Sequence, residues 1–335
     1  MKKIASILAL SLLIGGIFWR ESTEQKSVLL NVSYDVIRDF YKEYNPQFRQ
    51  AFAPDLMISQ SHGGASKQVL AVLNGLPADV VTLTQSNDVD ALAKKGLVAQ
   101  NWRKVLPNGA VPFGSVMVLL VKKGNPKQIK DWADLTRADV RVVFANPKTS
   151  ANGRFAYLSA LAYAEQHTSD SQAFMVNLLK NVPVLEAGAR SASIAFTQRN
   201  IGDVLIAPEN EAALAAKTLG NESFEVVYPS LTAYTPVYVA EVTKNTAQYG
   251  LHQQAHAYLT HLWSEQAQQL AVENFFRPTN AKVLEKTTAL FPNVNSFDVN
   301  ETFGDWNKIN QTYFVDNARF DREYIAAQQA KEGVK

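Results

Sequence analysis

Three short stretches of the chain combine small and polar residues in an order suited to holding an anion. They are residues 61–66 (Ser-His-Gly-Gly-Ala-Ser), 146–152 (Asn-Pro-Lys-Thr-Ser-Ala-Asn) and 186–193 (Glu-Ala-Gly-Ala-Arg-Ser-Ala-Ser). Each follows an apolar run, at 56–59, 140–145 and 182–185 respectively, and each leads into a segment with apolar residues at helical spacing. Phe155, Leu158 and Leu161 recur in this way after the second turn, and Val69, Leu70, Val72 and Leu73 after the first; a helix over 192–199 is expected after the third. The pattern is strand, turn, helix. At such a turn the first backbone N–H groups have no intrahelical acceptor, and the helix dipole places roughly half a positive charge there. Gly63 and Gly64 let the backbone approach a ligand closely. If the turns converge, their N–H groups form a ring of donors that holds a small oxyanion with no lysine or arginine in contact. Ser150 reads as the N-cap of its helix, and a serine in that place also serves as an ordinary cap with no ligand, so both roles stand open.

The elements that must position these turns alternate between strand and helix. Residues 28–32 form a strand, a turn at 33–35 follows, and 36–44 form a helix with Ile37, Phe40, Tyr41 and Tyr44 at 3.6-residue spacing. Strands at 56–59 and 79–83 are followed by helices at 65–74 and 88–95. Alternation of this kind implies a parallel sheet covered by helices, with ligands at the carboxyl ends of strands, where Asp35 and the turn at 61–66 both lie. The long apolar run 113–121 is expected to cross to a second α/β unit that extends to about residue 229, with 236–242 as the return crossing and a mainly helical remainder packing on the first unit. The division expected is 27–112 with 236–335 for one lobe and 113–235 for the other.

The opening Met1-Lys2-Lys3, the uncharged run 4–19 and the charged segment 20–26 have the layout of an export signal, with an uncleaved membrane anchor as the alternative reading of 1–26. The composition, 47% hydrophobic and 19% charged, is that of a globular chain, and a net charge of +2 without a basic tract interleaved with aromatics argues against nucleic acid. There is no cysteine, which removes disulfides, thiolate metal sites, thiol catalysis and a lipidated N-terminal cysteine.

Catalysis finds little support. His252 and His256 resemble the paired histidines of a zinc-protease helix, but Gln253 stands where the general base would be glutamate, and with His261 nearby these histidines read as a solvated helix face. Ser61 and His62 are neighbours on one turn and do not form a triad by that fact. No metal or cofactor site is expected.

The runs LLNVSYD (29–35), SHGG (61–64), KQV (67–69), VLNGLPADVVTL (72–83), NWRKVLP (101–107), VKKGNPKQIKDWADL (121–135), NPK (146–148) with Ser150 and GR (153–154), GAR (188–190), IGDVLIA (201–207), ENEA (209–212) and NFFRP (274–278) follow one another along nearly the whole chain. In these runs the sequence resembles the periplasmic sulfate-binding protein family, receptors of sulfate and thiosulfate ABC importers. The resemblance implies an α/β type II periplasmic binding protein, two lobes with a ligand cleft between them, a monomer in the periplasm serving a permease complex in the inner membrane. It also implies backbone donors to the anion at Asp35, Ala65, Ala151, Asn152 and Ala189, and a hydroxyl donor at Ser150. Departures stand at Ala65, where the family has serine, at Ala151 and Asn152, where it has glycines, and at Pro208, where it has a tryptophan whose indole donates. Backbone donors survive a change of side chain, but Pro208 offers neither an indole nor an N–H, which leaves another small oxyanion, a sulfonate or a sensor role as the alternative. Arg154 and Arg190 are expected behind the donor turns, stabilising the anion through the peptides.

Overall fold

The computed structural model describes residues 28–218 and 223–333; the expected export segment 1–26 and the end of the helix expected over 209–219 lie outside them. Twelve strands occur among the described residues: β1 (Val28–Tyr34), β2 (Met57–Gly63), β3 (Val80–Leu83), β4 (Phe113–Lys122), β5 (Val142–Ala145), β6 (Leu185–Glu186), β7 (Val204–Pro208), β8 (Phe224–Val227), β9 (Thr232–Pro236), β10 (Tyr238–Glu241), β11 (Arg277–Pro278) and β12 (Ser296–Phe297). The helices that matter below are α1 (Arg38–Phe52), α2 (Ala65–Leu73), α3 (Ser86–Lys94), α4 (Ala151–His167), α5 (Ser171–Lys180), α6 (Ala189–Thr197), α7 (Glu209–Thr218), α8 (His252–Thr260), α9 (Glu265–Glu273) and α10 (Arg319–Glu332).

The strands form two sheets. In the first, β1 runs parallel to both β2 and β3, and β10 adds antiparallel beside β3, giving the order β10-β3-β1-β2. In the second, β5 runs parallel to both β6 and β7, and β4 joins β7 to β9 through antiparallel pairing on either side. The chain therefore leaves β1 toward one neighbour and returns to the other, and does the same at β5. Reversals of this kind open a crevice at the carboxyl ends of the strands concerned. Those ends are Tyr34–Asp35 and the turn 146–150.

Each sheet is covered by helices that bury their apolar faces on it. One core gathers Leu29, Phe40, Tyr44, Val80, Leu92, Tyr258 and Leu270, all nearly inaccessible to water. A second holds Leu119, Trp132, Val142, Phe155, Leu158, Leu161 and Leu179. Helix α4 is buried along most of its circumference because it is wedged between its sheet and the C-terminal segment, with Phe155 against Trp306 and Tyr157 against Phe320. Its Ser159 hydroxyl donates back to the Phe155 carbonyl and accepts from the Ala233 N–H, and the Tyr157 hydroxyl donates to Glu323, so both of these buried hydroxyls are paired.

The C-terminal region corrects the expected division. Residues 251–276 do pack with the first core, but Val299, Phe303, Trp306, Ile309, Phe314, Phe320 and Ala327 belong to the second, and β12 pairs with β9. The chain thus returns once more between β11 and β12, and 236–335 is not a single contribution to the first lobe. The segment after residue 250 is mainly helical in both parts, and helical periodicity carries no information about which sheet an apolar face covers.

The return is pinned by a buried ion pair. Arg277 of β11 donates from Nε and Nη2 to both oxygens of Glu209, at 2.6 and 2.9 Å, and the Tyr228 hydroxyl donates to the same carboxylate at 2.8 Å. The Glu209 side chain is 1% exposed and opens α7. Arg277→Ala should leave this carboxylate buried without a countercharge and cost about 3–5 kcal/mol of unfolding free energy in a denaturant titration. Replacing both partners by uncharged residues of similar size should recover most of that loss; equal losses in the single and double variants would show that packing rather than charge pairing holds the crossing.

Candidate anion-binding site

Strand β5 is apolar and β-branched up to Phe144, and after Ala145 the sequence Asn-Pro-Lys-Thr turns before α4 begins. Ser150 is the N-cap of α4, in an extended conformation with its Oγ accepting from the Gly153 N–H at 3.3 Å, and it is 4% exposed. Its hydroxyl hydrogen stays free to donate elsewhere. Ala151 and Asn152 then supply first-turn N–H groups with no intrahelical acceptor. Gly153 is required by packing: a Cβ there would stand 2.3 Å from the Ala145 carbonyl oxygen, so the turn folds tightly onto the strand it leaves.

The other two turns have the same construction. β2 runs through Gly63, Gly64 caps α2, and Ala65 is its first residue. Gly188 caps α6 in an extended conformation, and α6 begins at Ala189, earlier than the expected 192, because the Ser191 hydroxyl accepts from the Gly188 N–H and closes the first turn. The expected strand over 182–185 is reduced to the short β6, and Val182 packs in the core instead.

These starts meet. A Cβ on Gly64 would lie 3.4 Å from the Thr149 carbonyl oxygen, which brings α2 of the first sheet against the turn before α4. Thr149 Oγ1 donates to the Ala187 carbonyl at 2.9 Å, and the Asn146 N–H to the Glu186 carbonyl at 2.7 Å, tying the second turn to the third. Asp35, at the end of β1, stands against Gly188, where a Cβ would be 2.8 Å from Oδ2. Ala151 and Ala189 pack in the core of the first sheet although their helices belong to the second. Three helix N-termini and the strand end at Asp35 therefore face one place.

The charged side chains stand behind this place rather than in it. Arg154 donates to the Pro147 carbonyl at 2.9 Å and to Gln85 Oε1 at 3.0 Å, bracing the donor turn against the cap of α3. Burial lowers its pKa, with Asp88 acting the other way, and burial in turn pushes Asp88 up to about 6 against the pull of Arg154. Arg190 is paired with Asp39 and stands 3.4 Å from Glu211. Burial raises the pKa of Asp35, opposed first by the backbone N–H of Arg190. His62 shares a 2.7 Å hydrogen bond with Ser33 Oγ, and burial, then Arg38, lowers it to about 4, so it is neutral near pH 7. Pro208 closes β7, the parallel neighbour of β5, opposite Met117. Gln85, Asp88, Asp39 and Glu211 escaped sequence reasoning; Asp39 lies one helical turn beyond Asp35, and Glu211 lies within the ENEA run, which are the signals that pointed to them.

Elsewhere His252 and His261 have ordinary partners. His252 Nδ1 is 2.7 Å from Glu241, and His261 lies against Tyr44 and Ser264. Among the described residues no group of His, Asp and Glu is arranged to hold a metal ion, and no helix is long and apolar enough to cross a membrane.

Residues 29–277 match the description of bacterial extracellular solute-binding proteins. The chain is 47% identical to the thiosulfate-binding protein of Pseudomonas aeruginosa over 97% of its own length and 99% of that protein, and 44% identical to the sulfate-binding protein of Escherichia coli over 88% and 92%. Among solved structures it is similar to the sulfate-binding protein SubI from Mycobacterium tuberculosis, with a TM-score of 0.78 and 27% identity, covering 87% of this chain and all of that one. The relatives so named are binding proteins, not enzymes. On the match over residues 29–277 and the identity to these relatives, the chain belongs to the bacterial extracellular solute-binding proteins, within the group of sulfate- and thiosulfate-binding proteins.

Proposed function

We propose that the chain is the extracytoplasmic receptor of an ABC importer, capturing sulfate or thiosulfate in the crevice where α2, α4 and α6 begin, acting as a monomer in the periplasm and delivering to a permease in the inner membrane. The convergence of three helix starts with the end of β1 carries this reading. The N–H groups of Asp35, Ala65, Ala151, Asn152 and Ala189 and the hydroxyl of Ser150 would supply the hydrogen bonds. Gly63 and Gly64 would permit the approach, and Arg154 and Arg190 would hold the turns in place. A dianion is held in this way by dipoles fixed before it arrives, so little reorganisation is needed on binding. Pro208 supplies neither an indole nor an N–H donor, which is the departure that keeps thiosulfate or another small oxyanion beside sulfate as the ligand.

A ring made of donors selects a fully deprotonated anion. Hydrogen phosphate carries a proton that needs an acceptor, and an unpaired buried polar group costs about 1–3 kcal/mol, so phosphate should bind roughly 5- to 150-fold more weakly than sulfate or thiosulfate near neutral pH. Calorimetric titration with the three anions checks this, and equal affinities would overturn the donor-only site.

Ser150 separates capping from ligand binding. As a cap alone, Ser150→Ala should cost about 1 kcal/mol of stability and Ser150→Gly a few tenths, both with affinity unchanged. As a ligand donor, both variants should lose about 1.5–3 kcal/mol of binding free energy, roughly a 10- to 150-fold weaker Kd. A Ser150→Gly protein that binds like the parent would remove Ser150 from the site.

A further inference from the structure

Three cations meet in a hollow at the end of the second sheet remote from the helix starts. Arg141 stands immediately before β5, whose other end leads into the turn 146–150, so the length of that strand separates the two places. Lys180 closes α5, and Lys331 lies in the last turn of α10. The hollow they line has a volume of about 550 Å³, within the range of roughly 300–1,000 Å³ typical of small-molecule sites. Thr136, Asn177 and Asn181 add polar wall, and no acidic residue lines it. Nearby cations are paired: Lys127 and Arg137 both reach Asp139, at 3.5 and 3.1 Å. Arg141, Lys180 and Lys331 form no ion pair among the described residues. Asp203 accepts the backbone N–H of Arg141 at 2.8 Å but does not line the hollow.

The hollow is built rather than incidental. Lys331 Nζ donates to the Val182 carbonyl at 2.8 Å and to Gln328 Oε1 at 3.4 Å, and Arg141 Nη1 donates to the Ala138 carbonyl at 3.2 Å, so two of the charged groups are held in place. Asn181 Nδ2 donates to the carbonyls of Leu135 and Arg137 at 2.8 and 2.6 Å, and the Asn181 backbone carbonyl accepts the Val142 N–H at 3.0 Å, which fixes the wall between them. Most donors of the three cations are left without an acceptor. A lysine at a helix C-terminus answers the dipole, which accounts for where Lys180 and Lys331 sit. It accounts neither for Arg141, which precedes a strand, nor for the space between the three. We propose that this hollow is a second anion site, separate from the helix starts, which takes a phosphoryl-bearing polyanion larger than sulfate. Like charges gathered without an acid repel one another, and an anion with several oxygens relieves that repulsion while accepting the free donors. Arg141 offers a planar fork matched to a phosphoryl group, and full charges, unlike a ring of N–H groups, hold an anion in any protonation state. The volume leaves room for a second phosphoryl group or an organic body. A soluble diphosphate and an anionic lipid headgroup present this same chemistry.

Calorimetric titration of the protein with pyrophosphate, with and without excess thiosulfate, should give the same binding in both, weakening as salt is raised. Lys180→Gln removes a side chain that makes no hydrogen bond among the described residues, so the fold should be unaffected. It should weaken pyrophosphate about tenfold, and the double variant Arg141→Gln with Lys180→Gln about 100-fold, with the affinity for thiosulfate unchanged. Co-sedimentation with vesicles of phosphatidylcholine containing about 30% phosphatidylglycerol separates the two sources. Recruitment that is lost in Lys180→Gln assigns the site to a lipid headgroup, and binding of pyrophosphate without recruitment assigns it to a soluble anion. No heat up to about 10 mM pyrophosphate together with no recruitment would overturn the second site. So would affinities unchanged in both variants, or displacement of pyrophosphate by thiosulfate. Failure of thiosulfate and sulfate to bind at all would sink the oxyanion reading and leave this site untouched.

Discussion

The constraint on which the rest depends is where two strands end. β1 and β5 are the positions at which the order of each sheet reverses, and a parallel strand can lead into a helix start only at its carboxyl end. That geometry brings the N-termini of α2, α4 and α6 toward one place before any side chain is considered. It also explains why small residues crowd the turns. Gly64 lies against the Thr149 carbonyl, Gly188 against Asp35 and Gly153 against the Ala145 carbonyl, so backbones approach each other where side chains would hold them apart.

The crossings between the sheets bear on the same place. β4 is shared along its length by β9, β7 and β8, so one strand fixes the second sheet from the end nearest the first, and β11 pairs with its opening residues. Arg277 of β11 reaches Glu209, the residue after Pro208 and the first of α7. From the other side, Lys148 in the turn before α4 pairs with Asp316 and Asp321 at 3.0 Å each, so the C-terminal segment grips the donor turn directly. This is why the segment beyond residue 299 belongs with the second core: its apolar residues cover α4, and its acids hold the turn from which α4 starts.

Much of this is legible in the sequence because it is local. Strands, turns and helix starts follow from periodicity and from the run of small polar residues, and Ser150 as a cap follows from residue type alone. The start of α6 reads too late because Ala189 and Arg190 carry no apolar signal, whereas the Ser191 hydroxyl that closes the turn acts through a hydrogen bond. The destination of residues 299–327 is not legible, since an apolar helical face fits either sheet. Nor are Gln85 behind Arg154, a pair 69 residues apart, and Glu211 beside Arg190, which meet between two helices. Contacts of this kind depend on how elements are laid side by side, which no short window contains.

The placement of the arginines follows from a balance of costs. A guanidinium in contact with an anion must itself be desolvated, and it attracts any anion without regard to protonation. Here Arg154 donates to Pro147 and Gln85, and Arg190 pairs with Asp39 and stands beside Glu211, so the donors of both are engaged within the protein. The place where the helix starts meet therefore has positive partial charges from the backbone, while three carboxylates, Asp35, Asp39 and Glu211, surround the single Arg190 guanidinium.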